Sequence, residues 1–177
     1  MPELTTASKS IWYLFKKLIQ WILSKVSKKL QEKYFPIDLK KIRIELDGIP
    51  KIYSVEEGSN INIGFRISNF SPYYDYGILS IECEIQIWRN IFITLTKNTF
   101  LDLKVDEIDK QYIFSSNLGV NEAKRAQKIF NGRECANCEL KLNCSVVTPL
   151  GVKSYIHVIS HQIQLINLNT QQPNKAH

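Results

Sequence analysis

The chain predicts a mainly β fold, an antiparallel β-sandwich carried behind an N-terminal amphipathic α-helix. Three observations carry that prediction. From Asp38 onward apolar residues recur at every second position in several runs, the pattern of strands with one face buried and one wet. Turn-forming residues separate those runs. Ahead of them, residues 8–35 follow a helical rhythm and hold all of the net charge.

The opening segment justifies its helix by spacing. With residues about 100° apart, Ile11, Leu14, Phe15, Leu18, Ile19, Ile22 and Val26 share one face, flanked by Trp12, Trp21 and Leu23. Lys16, Lys17, Gln20, Ser24, Ser27 and Lys28 fill the opposite side, and Ser8 or Ser10 stands where a cap belongs. Beyond Ser24 the character turns basic: Lys25, Lys29 and Lys33 stack along one stripe before Pro36 stops the helix. Of the 23 basic and 17 acidic residues, seven lysines and one acid, Glu32, fall between Lys9 and Lys33. That window carries the whole net charge of +6, and the rest of the chain is neutral. A neutral body has no electrostatic reason to seek nucleic acid.

The alternating runs follow in order. Ile42, Ile44 and Leu46 alternate with Arg43 and Glu45, and Ile61, Ile63, Phe65 and Ile67 with Asn62, Gly64 and Arg66. Ile81, Cys83, Ile85 and Ile87 alternate with Glu82, Glu84 and Gln86. Cys138, Leu140, Leu142, Cys144 and Val146 alternate with Glu139, Lys141, Asn143 and Ser145. Further strands are expected at 91–97, 99–105, 110–117 and 152–166. Turn signals stand at Asp47-Gly48, Glu57-Gly58, Asn69 to Pro72, Asn98 and Pro149 to Gly151. Eight or nine strands over about 130 residues suit a two-sheet sandwich. It is immunoglobulin-like in architecture, an analogy that says little about function.

Two interruptions refine the domain, which spans 38–168. Residues 121–130, NEAKRAQKIF, read as a short inserted helix with Asn121 as cap and Asn131-Gly132 past its end. In the last strand Ile156 and Val158 fall on one face, Ile163 and Leu165 on the other, so a bulge near Ser160 is expected. Residues 169–177 are polar and read as a disordered tail.

Composition bounds the class of protein. A hydrophobic share of 44% and a charged share of 23% in 177 residues suit a globular domain with a proper core. Four cysteines do not make a disulfide scaffold. Lys16 and Lys17 break the apolar stretch, so neither a secretory signal nor a span of ~20 apolar residues is expected. The expected location is cytoplasmic, or peripheral at a membrane. The triplets Asn69-Phe-Ser71 and Asn143-Cys-Ser145 then carry no glycosylation meaning.

Candidate chemistry is sparse. Cys135-Ala-Asn-Cys138 is the one motif with a metal reading, as a zinc pair that Cys144 with His157 or His161 could complete. Against it, Cys138 and Cys144 share the face of Leu140 and Val146, where free cysteines act as small core residues. His157 alternates with Ile156 and Val158 and reads as solvent-facing. The pairs Glu56-Glu57 and Asp106-Glu107 fall at turns, nothing in the spacing selects a histidine and nucleophile for a triad, and the seven glycines form no phosphate loop. No cofactor is implied. Tyr73, Tyr74 and Tyr76 cluster in a loop where exposed rings would make a contact surface.

These residues predict a non-enzymatic binding or adaptor module. The helix attaches it to an anionic membrane surface, and the sandwich engages a partner protein. Ile11, Trp12, Phe15, Leu18, Trp21 and Ile22 would insert, while Lys16, Lys17, Lys25, Lys28 and Lys29 would meet headgroups. Two other readings of the same face stand beside it. The helix could pack on its own sandwich, as most amphipathic helices do, or on a partner chain in a complex or homo-oligomer. No specific nucleic-acid partner is expected, because the aromatics lie on the apolar side rather than among exposed lysines.

Overall fold

The computed structural model describes residues 6–55 and 58–167, without the side chains of 6–13, 16, 55, 58 and 167. The side chains of Ile11, Trp12 and Lys16, the pair Glu56-Glu57 and the tail at 169–177 therefore lie outside what is described. The element order is α1 (Thr6–Lys25), α2 (Lys28–Tyr34), a 3-10 turn (Leu39–Lys41), β1 (Ile42–Leu46), β2 (Lys51–Val55), β3 (Gly58–Asn69) and β4 (Tyr76–Ile87). It continues with β5 (Asn90–Leu103), β6 (Lys110–Leu118), α3 (Val120–Phe130), β7 (Cys135–Thr148) and β8 (Gly151–Asn167). Eight strands against three α-helices make the described fold mainly β.

Strand β3 anchors one wing. β1 and β2 lie end to end along one of its edges, pairing with Phe65–Asn69 and with Gly58–Asn62, and β6 takes the other edge. The turn between β1 and β2 returns against β3 at Gly64, whose carbonyl accepts from the Asp47 N–H at 2.8 Å. A Cβ at position 64 would stand 2.9 Å from the Asp47 carbonyl oxygen, which is why the position is glycine. The other wing is β8-β7-β4-β5, joined to the first where β8 leaves β7 and runs beside β2 from Gln164 to Asn167.

That junction corrects the expected architecture. β2 and β8 are parallel, so the described strands form one open mixed sheet, not the two antiparallel sheets of an immunoglobulin-like sandwich. Alternation states which face of a strand is buried; it is silent on the direction of the neighbour. The sheet is curled. The Lys97 ammonium of β5 lies 5.7 Å from the ring centroid of Tyr112 on β6, and the Tyr155 hydroxyl of β8 donates to the Ile42 carbonyl of β1 at 3.0 Å. The inward residues of β3, β4 and β7 thereby join a single hydrophobic core.

Three local expectations also change. The runs 91–97 and 99–105 are one strand, β5, with an irregularity opposite Leu79, because Asn98 continues the ladder to Ser80 and does not turn. No bulge stands at Ser160: the pairing of β8 with β7 is unbroken from Gly151 to Gln164, and Ile156 and Val158 face outward into solvent. The segment 8–35 is two helices. Ser27 adopts an extended conformation between them and its carbonyl accepts from the Leu30 and Gln31 N–H groups, so a new helix begins there.

α3 crosses between β6 and β7 with Ala123, Ala126 and Phe130 inward. Gly119, rather than Asn121, occupies its N-cap, and Asn131 ends it in the left-handed conformation. Arg125 fixes the crossing by donating to the Ile91 and Phe92 carbonyls of β5.

Candidate functional site

The leading helices and the loop that seats them hold most of the residues that the sequence singles out. α1 carries an apolar arc wider than its seat. On one edge Leu23 is 6% exposed and belongs to the core, with Ile19 packed beside it and Ile22 and Val26 half-buried. On the other edge Leu14, Phe15, Leu18 and Trp21 are exposed, Leu18 at 52% and Trp21 at 61%. Lys17 and Lys25 border that exposed edge, and Lys28 and Lys29 follow on α2; all four are exposed. Leu30 and Tyr34 add exposed apolar surface on α2, where the Lys33 ammonium lies 5.3 Å from the Tyr34 ring centroid.

The corner between the helices is built by Gln31. Its side-chain amide donates to the Leu23 carbonyl and, at 3.1 Å, to the Val26 carbonyl, so it satisfies two of the acceptors that the end of α1 leaves without intrahelical partners. The Ser24 hydroxyl donates to the Trp21 carbonyl at 2.6 Å. A glutamine does this because it is the neutral side chain with a long enough donor, a signal that helical periodicity does not contain.

The seat is the tyrosine cluster, and here the expected contact surface is corrected. Tyr74 and Tyr76 are buried and Tyr73 is half-buried, so these rings receive the chain's own helices instead of facing solvent. The Tyr74 hydroxyl donates to the Phe35 carbonyl at 2.7 Å, and Phe35 meets Tyr73 edge-on with centroids 5.3 Å apart. Burial pushes the Tyr74 and Tyr76 phenols above their ordinary range, which keeps them neutral donors. A cleft of ≈ 330 Å³ remains between Leu23, Lys28 and Gln31 on the helices and Tyr73, Tyr74 and Asp75 on the loop.

Asn69 holds the seat in shape. Fully buried, its amide nitrogen donates toward the carbonyls of Tyr74 (2.9 Å), Leu103 (3.1 Å) and Lys104 (3.1 Å), and its Oδ1 accepts from the Ser71 N–H at 2.9 Å. The Ser71 hydroxyl in turn accepts from the Tyr74 N–H at 3.0 Å. Asn69 and Ser71, the first and third residues of a glycosylation-type triplet, thus lock three chain segments together. The sequence marks only a turn there, because Leu103 and Lys104, at the end of β5 and just past it, lie 34 and 35 residues away.

The remaining candidates do not assemble a reaction centre. Cys135 is exposed and Cys138 buried, because three steps along β7 put them on opposite faces; they cannot grip one ion. Among the described residues no group of three His, Cys, Asp or Glu side chains is placed to hold a metal. Burial raises the thiol pKa of Cys83 to about 12 and those of Cys138 and Cys144 to about 11, so all three remain protonated core residues. His157 is half-buried rather than solvent-facing, stacked on Tyr155 with centroids 6.0 Å apart, while His161 is exposed. Glu107 serves the β5–β6 turn, accepting from the Lys104 N–H at 2.8 Å and pairing with Lys110 at 3.0 Å. No described helix is long and apolar enough to cross a membrane.

No protein-family model and no curated protein matches the chain. Solved structures do. The solution structure of a candidate late embryogenesis abundant (LEA) protein superposes with a TM-score of 0.51 at 13% identity, covering 95% of each chain. A crystal structure of a protein from Archaeoglobus fulgidus gives a TM-score of 0.44 at 9% identity, over 70% of this chain and 94% of that one. At such identities the likeness is one of fold, and the LEA structure is the one that carries it.

Proposed function

We propose that the chain is a non-enzymatic binding module whose leading helices hold the β domain at an anionic membrane surface. The observation that carries this reading is the split arc of α1. Its inner edge, at Ile19 and Leu23, is covered by the chain's own core, while Leu14, Leu18 and Trp21 stand in solvent beside Lys17 and Lys25. Apolar side chains including a tryptophan, bordered by lysines on a helix that itself carries no acid, have the chemistry of a helix lying in a lipid interface. Each lysine near an anionic headgroup contributes on the order of 1 kcal/mol, so the charge matters as much as the insertion. The seat fixes the inner edge, and the exposed edge can lie along a surface without the helix leaving the domain.

The test is co-flotation of the full chain with vesicles of phosphatidylcholine alone and of phosphatidylcholine with phosphatidylserine. The expected result is flotation with the anionic vesicles only, weakening as salt is raised. A discrete oligomer in lipid-free buffer together with no flotation would overturn the reading and favour an assembly subunit whose helix packs on another chain. Truncation before Pro36 is a poorer test, because it also strips Leu23 and Phe35 from the core they complete.

A further inference from the structure

At the end of the sheet remote from the Asn69 loop, the β4–β5 hairpin, β7 and β8 together line an open cleft of ≈ 710 Å³. Pairing sets its floor: Gln86 stands opposite Glu139, Glu139 opposite Ser160, and Asn137 opposite Gln162. The β7 and β8 members of these pairs point outward, because Ala136 and Cys138 between them are buried. Trp88 and Arg89, at the hairpin tip, line the cleft as well.

The hairpin is an unexpected place for those two residues. Trp88 and Arg89 occupy its tip with φ of 53° and 65°, both left-handed, where Asn-Gly is the sequence a two-residue turn prefers. Two large side chains in that region strain the backbone, and such strain persists where a site needs the side chains it displays. The indole is held in place. The Arg133 guanidinium lies over its ring 5.6 Å from the centroid, and the Asn90 amide donates to the Trp88 carbonyl at 3.3 Å. Trp88 lines the cleft and is 44% exposed, so it keeps free apolar surface beside its cation contact with Arg133.

The chemistry of the lining selects a ligand class. Three carboxamides, Gln86, Asn137 and Gln162, offer donors and acceptors together, and the Ser160 hydroxyl does the same. One guanidinium, Arg89, and one carboxylate, Glu139, cancel in charge, and the His161 imidazole and Cys138 complete the lining. With those charges balanced an anion gains no net attraction, and an apolar ligand would strip the floor of its water without replacing the hydrogen bonds. A molecule with many hydroxyls, no net charge and one flat apolar face meets every one of these groups, and the cleft has the volume of a small-ligand site.

We propose that this cleft binds a neutral oligosaccharide, stacked on Trp88 and hydrogen-bonded by the carboxamide floor. The experiment titrates the 15N-labelled full chain with neutral gluco-, manno- and chito-oligosaccharides and with their phosphorylated counterparts. The expected result is saturable shifts for at least one neutral series at the amides of 86–90, 137–139 and 160–162, weakened at least tenfold by Trp88→Ala. The double variant Trp88→Asn, Arg89→Gly relaxes the turn: it should melt at a higher temperature than the parent and bind no sugar. No saturable shift with any neutral series, shifts elsewhere, or a preference for the phosphorylated sugars overturns the proposal. So does a double variant that melts lower, since Trp88 would then be there for packing alone.

Discussion

The β body and the leading helices treat their apolar residues differently. In β4 every inward position from Ile81 to Ile87 is at most 1% exposed, and the inward row of β7 from Leu140 to Val146 is equally closed. In α1 the apolar arc is divided, with Leu23 at the core and Leu18 and Trp21 in solvent. The difference comes from geometry. A pleated strand has two faces, and the sheet closes one of them as a whole. A helix presents a continuous circumference, and what touches it covers only as much of the arc as the contact is wide. Periodicity gives the width of an apolar face and leaves open how much of it the same chain covers.

The largest expected effect lies in the body. Asn69→Ala removes the partner of two buried carbonyls, of the partly buried Lys104 carbonyl and of the Ser71 N–H. With each unsatisfied group costing about 1–3 kcal/mol and some relaxation, the loss should be about 4 kcal/mol, read from urea denaturation of the full chain. A loss under about 1 kcal/mol would show that the loop tolerates water, and the contrast between the closed inward rows of the body and a half-open helix would weaken.

The next effect tests the docked edge. Leu23→Ala opens a cavity where α1 meets the core, and a buried leucine truncated in this way costs about 2–5 kcal/mol. The low end is expected, because the helix edge can settle into the gap. Amide exchange should report it as faster opening of residues 19–26, with the protection of β4 and β7 unchanged. Equal loss of protection in β4 would mean that helix and body unfold as one unit.

Much of this division is legible in the sequence, and the reasons for what is not are specific. Strand positions and their inward residues follow from alternation, since Ile61 to Ile67 and Cys138 to Val146 repeat without a break. The parallel contact of β2 with β8 is hidden, because pairing partners 110 or more residues apart leave no local trace. The tyrosine loop is not the exposed contact surface that its composition suggests, because Tyr74 and Tyr76 are buried and the chain's own Phe35 packs on Tyr73. The hairpin at Trp88 and Arg89 gives no signal, since neither residue type announces a left-handed turn.

A smaller effect is expected at the corner between the helices. Gln31→Ala leaves the Leu23 and Val26 carbonyls to solvent, and because the corner is only partly buried the cost should be about 1 kcal/mol. Gln31→Glu distinguishes loss of the donor from loss of packing. The carboxylate keeps the side-chain length and cannot donate, so it should destabilise at least as much as alanine. Glutamate matching the parent would show that length alone sets the corner.

The smallest effect on stability separates the two edges of α1 most sharply. Leu18 and Trp21 are over half exposed, so Leu18→Ser with Trp21→Ser should change folding free energy by no more than about 0.5 kcal/mol. The same pair should lower flotation with anionic vesicles at least tenfold, since each side chain contributes about 1.5–3 kcal/mol when its apolar surface leaves water. Lys17→Gln with Lys25→Gln should weaken flotation mainly at low salt, because exposed charges are screened beyond a Debye length of about 8 Å at physiological ionic strength. If the serine pair instead destabilised the fold by as much as Leu23→Ala, the exposed edge would be packed against the body in solution. The two edges of α1 would then be one, and its lysines would be the solvated rim of an ordinary core helix.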